Sequence, residues 1–231
     1  MYAKYFKRVM DFFLSLMALI VLSPIFVLLI VVGAVAMKGN PFFVQPRPGK
    51  KDKEGNEKIF KLIKFRTMDN RKDEDGNLLP DDVRLNLYGK FLRSTSLDEL
   101  PELINILKGD MAVIGPRPQL VRDMVFMSEY HRLRHTVRPG LSGLAQISGR
   151  NSIDWKNKLD IDLEYIENIT FFGDWKIIFI TIFKVFKRED VSMEGMETAE
   201  DYGDYLLRIG EFNEQEYNAL QLEAKELLEM V

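Results

Sequence analysis

Between Asp11 and Lys38 the stretch DFFLSLMALIVLSPIFVLLIVVGAVAMK carries no internal charge, yet a Ser-Pro pair, Ser23-Pro24, stands at its middle. The uncharged span of about 26 residues is long enough to cross a bilayer core of roughly 30 Å as one helix. Pro24 has no N–H, and its ring crowds the carbonyl of Ile20, so the sequence predicts a break there with Ser23 satisfying a freed backbone group. Two half-helices result, each near 18 Å at 1.5 Å per residue, and neither spans. Lys4, Lys7 and Arg8 precede the run, and Lys38, Arg47, Lys50, Lys51 and Lys53 follow it. Basic flanks favour the cytoplasmic side, and here both ends ask for it. A re-entrant hairpin meets both demands; a single kinked crossing is the plainer alternative.

The remaining charge is unevenly placed. From Glu189 onward there are 13 acidic and 2 basic residues, so the net charge of -3 conceals a body of about +8 and a tail of about -11. A basic body suits anionic lipid headgroups and phosphorylated substrates. The chain has no cysteine, which excludes disulfides, thiolate metal sites and cysteine nucleophiles. His131 and His135 are spaced i, i+4 without the intervening glutamate of a zinc-protease helix.

Coarse patterning gives an α+β chain, predominantly helical. A membrane hairpin (1–40) precedes a compact cytoplasmic domain with a small β element and interfacial amphipathic helices (41–190), and an acidic helical extension follows (191–231). IFKLIKFRTM, Ile59 to Met68, reads as extended, with Lys64 and Arg66 on one face. Asp69 to Asp82 is a polar loop. In STSLDELPELINILKGDM, the stripe Leu100, Leu103, Ile106 and Leu107 predicts a helix that Gly109 stops. Ser128 to Arg138 should begin helical and end at Pro139-Gly140. Phe171 to Asp190 reads either as an interfacial helix with Trp175 at headgroup depth or as a plain core helix.

Within SLDELPEL, a Ser96 cap would put Pro101 in a formed turn, whereas an Asp98 cap puts it in the first three positions, whose N–H groups need no partner. Asp98 and Glu99 then sit at a helix start. Such pairs are common surface caps, but a carboxylate so placed can also attack phosphorus while its neighbour holds a divalent metal. GPRP, Gly115 to Pro118, restricts the backbone around Arg117 and aims its guanidinium. His131 to Asn151 contains Arg132, Arg134, Arg138 and Arg150 with no acid, and Gly140, Gly143 and Gly149 would permit close approach of a phosphate. Neither a Walker loop nor a dinucleotide fingerprint is present, and sparse aromatic interleaving argues against nucleic acid.

KRVMDFF, the central SP, FVQPRPGK, KFRTM, LRSTSLDELPELINILKGDM, GPRP, RHTVRPGLSGLAQISGRN and LDIDLEYIENITFFGDWKII occur in this order. Together they resemble the bacterial sugar transferase family, monotopic polyprenyl-phosphate phosphoglycosyl transferases of the bacterial inner membrane. The resemblance runs from about Lys7 to Lys187 and, with the length, implies the short form. It implies that Asp98 attacks a UDP-sugar, releases UMP and holds a phosphosugar until undecaprenyl phosphate takes it, the first membrane step of glycan assembly. It assigns Glu99, with Asp98, to Mg2+. Lys64, Arg66, Arg93, Arg117, Arg134, Arg138, Gln146 and Arg150 fall to phosphate or substrate contact. Lys7 and Arg8 fall to the lipid phosphate, and Ser23 and Pro24 to the helix break. An N-acetylated or diacetamido sugar is the first expectation, galactose or glucose the second, and a silent membrane scaffold recruiting downstream glycosyltransferases the rival from another class. Ala112 departs from the serine common in the family, and the acidic extension has no assigned role.

Overall fold

A computed structural model describes residues 1–149, 154–187 and 200–230. A π-helical turn, Tyr2–Phe6, leads into α1, Lys7–Ala36, which is one unbroken helix of 30 residues through Pro24. The expected break into two half-helices is absent, and the reason is local. Pro24 cannot donate to the Ile20 carbonyl, but the Ser23 hydroxyl does so at 2.8 Å. Among the described residues, Tyr2–Ala36 is the one helical segment long and apolar enough to cross a membrane.

The elements after α1 are the hairpin β1 (Phe42–Lys51) and β2 (Glu57–Phe65), α2 (Asp81–Arg84) and α3 (Leu87–Thr95). A 3-10 turn, Leu97–Glu99, precedes α4 (Glu102–Lys108), β3 (Ala112–Ile114) and α5 (Val121–Met124). A 3-10 segment His131–Thr136, β4 (Gly140–Ser142), α6 (Leu144–Gly149), α7 (Trp155–Glu167), α8 (Phe171–Lys187), α9 (Tyr202–Arg208) and α10 (Glu214–Glu229) complete the order. β1 and β2 pair antiparallel, from Phe42 opposite Phe65 to a bulge between Pro48 and Lys51; β3 and β4 pair parallel. The chain is thus mainly helical with two small sheets, and Ile59 to Phe65 is the extended segment its alternation implies.

α1 lies along the domain rather than projecting from it. Ala18 and Leu19 pack on Phe60, Leu62, Leu103, Ile106 and Met111, while Phe26, Leu29 and Ile30 meet Phe65 and Leu92. Both ends are also tied by polar bonds. At the start, Arg8 donates to the Ile106 and Leu107 carbonyls (2.6 and 2.9 Å), and Asp11 accepts the Val113 N–H (3.1 Å). At the far end, Tyr88 donates to the Leu29 carbonyl (2.8 Å) and Asn86 to that of Ala36 (3.2 Å).

The outer face of α1 stays apolar and exposed, with Phe13, Met17, Val21 and Val35 among its residues. α8 divides likewise. Asp174 and Ile177 are buried, while Phe172, Phe179 and Phe183 are exposed beside Trp175. An exposed aromatic face on a helix buried on its other side fits the interfacial reading better than the core one.

Candidate active site

Pro101 shapes the turn that carries the two acids. It has no N–H for the Leu97 carbonyl, so that carbonyl takes the Leu100 N–H at 3.2 Å and the backbone closes with three-residue spacing. α-Helix begins only at Glu102, with Pro101 as its cap residue. This corrects the expected Asp98 cap: Asp98 and Glu99 stand in a 3-10 turn ahead of α4. Ser96, just before them, has φ 55°, a left-handed conformation that is rare for residues other than glycine.

Around this turn, β2 delivers Lys64 and the GPRP loop delivers Arg117. Lys64 Nζ lies 2.9 Å from Glu99 Oε1 and 3.1 Å from Glu102 Oε1; Arg117 Nη2 lies 2.7 Å from the same Glu99 oxygen. Burial alone would push the Glu99 carboxyl up, but Arg117 and Lys64 outweigh it and hold it well below the usual carboxylate range. Asp98 accepts no hydrogen bond among the described residues. Burial first, then the charge of Glu99, pushes it up to about 6 against the pull of Lys64, Arg117 and Arg93. Adjacent in sequence, the two carboxylates are thus prepared differently, one clamped and one open to react.

Not every expected cation is at this cluster. Arg93 is near Asp98, with its Nε on the Thr67 hydroxyl at 3.2 Å. Arg66 follows β2, its backbone N–H on the Pro41 carbonyl. Arg134 is 1% exposed and donates to Asp162 (3.0 and 2.6 Å) and to the Arg117 carbonyl (2.6 Å). Its Nε and Nη2 bonds tie it to Asp162 and to the Arg117 backbone inside the protein. Arg138 donates to the Gly109 carbonyl at 2.7 Å and so joins Arg8 at the C-terminal end of α4. Lys7 is buried in an ion pair with Asp174 (2.7 Å), which also accepts from Tyr2 (2.7 Å) and Tyr165 (2.8 Å). Lys7 and Arg8 therefore weld α1 to the domain.

Gln146 is 7% exposed, and neither amide atom has a partner among the described residues, which leaves it available to a ligand. Arg150 lies outside the described residues. The glycines also serve another purpose than expected. A Cβ on Gly140 would lie 2.1 Å from the Gly115 nitrogen, and one on Gly143 would lie 2.2 Å from the Gly115 oxygen. Their bareness lets this backbone pack against the GPRP loop.

Two site residues were not singled out by sequence. Glu102, 2% exposed, shares Lys64 with Glu99, and burial pushes its carboxyl up to about 7. Arg47 donates to the Pro118 carbonyl (3.2 Å) and keeps a buried Nε without a partner. Both lay in the quoted segments LDELPEL and FVQPRPGK, where a second acid after the proline and an arginine between prolines were the available signals.

Among the described residues no group of three or more His, Asp or Glu is arranged to hold a metal by itself. Magnesium rarely needs one, being held by one or two carboxylates together with substrate phosphates. Glu99 Oε2 takes no hydrogen bond among the described residues and Asp98 is open, so this donor set fits that mode of binding.

Residues 2–188 match the family described as bacterial sugar transferase. The chain is 41% identical over 196 residues to the uncharacterized sugar transferase EpsL of Bacillus subtilis, covering 85% of this chain and 95% of that one. It is 39% identical over 191 residues to the UDP-glucose:undecaprenyl-phosphate glucose-1-phosphate transferase of Klebsiella pneumoniae, covering 78% of this chain and 40% of the relative. The exopolysaccharide production protein ExoY of Sinorhizobium fredii is 34% identical over 193 residues, with 76% and 83% covered.

Proposed function

The chain belongs to the bacterial sugar transferase family, and from that premise we propose that it moves a sugar-1-phosphate from a UDP-sugar to undecaprenyl phosphate in two displacements at Asp98. In the first, a carboxylate oxygen of Asp98 bonds to the phosphorus nearer the sugar, the bond from that phosphorus to the bridging oxygen breaks, and UMP leaves with the electron pair. In the second, a phosphate oxygen of undecaprenyl phosphate bonds to the same phosphorus and Asp98 departs as a free carboxylate. Covalent capture lets the soluble and the lipid substrate use one pocket in turn. Arg117, Lys64 and Arg93 supply positive charge where the phosphoryl oxygens gather it. Asp98 and Glu99 would hold Mg2+, which when bound neutralises phosphate charge.

The observation that carries the reading is the division between the acids. Glu99 is fixed by two cations, while Asp98 keeps its lone pairs free, as a nucleophile must. The same-side topology has its own support. α1 is tied to one domain at both ends, by Arg8 and by Asn86, which favours keeping both ends on that domain's side. Its exposed apolar face then dips into the inner leaflet of the cytoplasmic membrane, and the site stays at headgroup level facing the cytoplasm.

An N-acetylated or diacetamido hexose is the first reading of the donor sugar. UDP-glucose or UDP-galactose is the second reading, favoured by the name of the Klebsiella relative. UMP release from a panel of UDP-sugars, with undecaprenyl phosphate and Mg2+, tests both: one donor should turn over well above the rest. No release from any donor leaves a membrane scaffold, and the proposal fails.

A further inference from the structure

The family match ends at residue 188, yet α9 and α10 lie beyond it and are docked firmly on the domain. Val121, Met124, Val125, Phe126 and Met127 around α5 share one core with Tyr202, Leu206 and Ala224. Asp123 accepts the Tyr202 N–H at 2.9 Å, and Arg122 pairs with Asp201 at 2.6 Å. The segment so held directly follows the GPRP loop. The extension also reaches the first turn of α7: the Trp155 indole N–H donates to the Glu200 carbonyl (3.1 Å), and the Trp155 and Tyr202 rings lie 5.1 Å apart.

Lys158 stands on this shelf, its Nζ 5.5 Å from the centre of the Trp155 ring, and its ammonium makes no hydrogen bond or ion pair with any described residue. It is one helical turn before Asp162, on the same face of α7. Asp162 holds Arg134, which holds the Arg117 carbonyl, so that face is turned toward the GPRP loop. Burial pushes the Lys158 ammonium down, and the like charge of Arg117 adds to it against Asp154. Lys158 and Arg117 are close enough to repel each other, and two such cations make a place for an anion. Arg117 gives one edge to Glu99 and its side chain is still 40% exposed.

We propose that Lys158 binds the nucleotide-side phosphate of the donor, the one that departs in UMP, and that the C-terminal extension positions it there through Trp155. This rests on the UDP-sugar reading above and extends it to a residue and a segment that the reading does not use. Asp98 attacks the sugar-side phosphorus, so the other phosphate has to lie outward from the dyad, past Arg117, where Lys158 waits. The extension then belongs to the donor site as well as to the fold.

Lys158→Met and Lys158→Arg, in the full chain, test it by donor KM, kcat and inhibition by UMP. Loss of a charge-assisted contact should raise the donor KM and the UMP inhibition constant about tenfold in Lys158→Met with kcat little changed, and Lys158→Arg should restore most of both. Trp155→Phe, which removes the bond to Glu200, should weaken UMP inhibition without touching the chemistry, and should add little to Lys158→Met. Unchanged KM and UMP inhibition in Lys158→Met would overturn the assignment, as would a fall confined to kcat. Should the parent enzyme neither release nor bind UMP, the donor reading falls and this one with it; a parent that does both, with Lys158 variants matching it, removes this inference alone.

Discussion

Glu99 Oε1 receives Lys64 at 2.9 Å and Arg117 at 2.7 Å, while the neighbouring Asp98 accepts no hydrogen bond among the described residues. Placing the cations on one acid leaves the other reactive, and the charge of the first raises the pKa of the second. In the proposed reaction the dyad acts as a unit, with Glu99 collecting positive charge and Asp98 supplying the electron pair.

Glu99→Gln separates these roles. Losing the anchor for Lys64 and Arg117 should lower kcat about a hundredfold. Because Glu99 raises the pKa of Asp98, removing its charge should also move the acid limb of the remaining activity to lower pH. A pH–rate profile with an unmoved acid limb would contradict the coupling.

Asp98 also links pH to stability. Its folded pKa, pushed up to about 6 first by burial and then by Glu99, exceeds its ordinary value, so across that interval the folded state binds more protons than the unfolded one. The group therefore costs stability as pH rises through the interval. Asp98→Asn should melt higher than the parent at about pH 8, with the difference closing at about pH 4. Thermal melts at the two pH values measure it; equal Tm at the higher pH would count against a strained, ionised Asp98.

Arg134 should behave as a structural arginine. With the Arg134–Asp162 pair at 2.6 Å and both side chains buried, Arg134→Met leaves Asp162 uncompensated and should cost about 3 kcal/mol. The double variant Arg134→Met, Asp162→Leu should recover part of that in a denaturant titration. A single variant as stable as the parent would count against this structural role.

The absence of cysteine makes topology directly measurable. Single cysteines at Ala3 and Asn40, on either side of α1, should both react with a membrane-impermeant thiol reagent applied from the cytoplasmic face and neither from the outside. Opposite accessibility would show a crossing helix.

Local patterns carried much of this architecture. The apolar run gave α1, alternation around Lys64 gave β2, and Gly109, with φ 94°, ends α4 as its position suggested. The Asp98-Glu99 pair and GPRP stood out by residue type. What sequence did not show was who pairs with whom. The ion pairs of Arg134 and Lys7 were not legible because their partners, Asp162 and Asp174, are 28 and 167 residues away. Pro24 read as a break; the Ser23 hydroxyl does satisfy the freed Ile20 carbonyl, but within a continuous helix and not at a break between two halves. Gly140 and Gly143 read as room for phosphate, while Gly115 already fills that space.

The central claim is a bond between Asp98 and phosphorus. Intact mass spectrometry of the protein incubated with its UDP-sugar and Mg2+, without lipid acceptor, measures that bond directly. A mass gain of one phosphosugar, absent in Asp98→Asn and discharged on adding undecaprenyl phosphate, is the predicted result. An unmodified mass at full turnover, or an adduct that persists in Asp98→Asn, would contradict it.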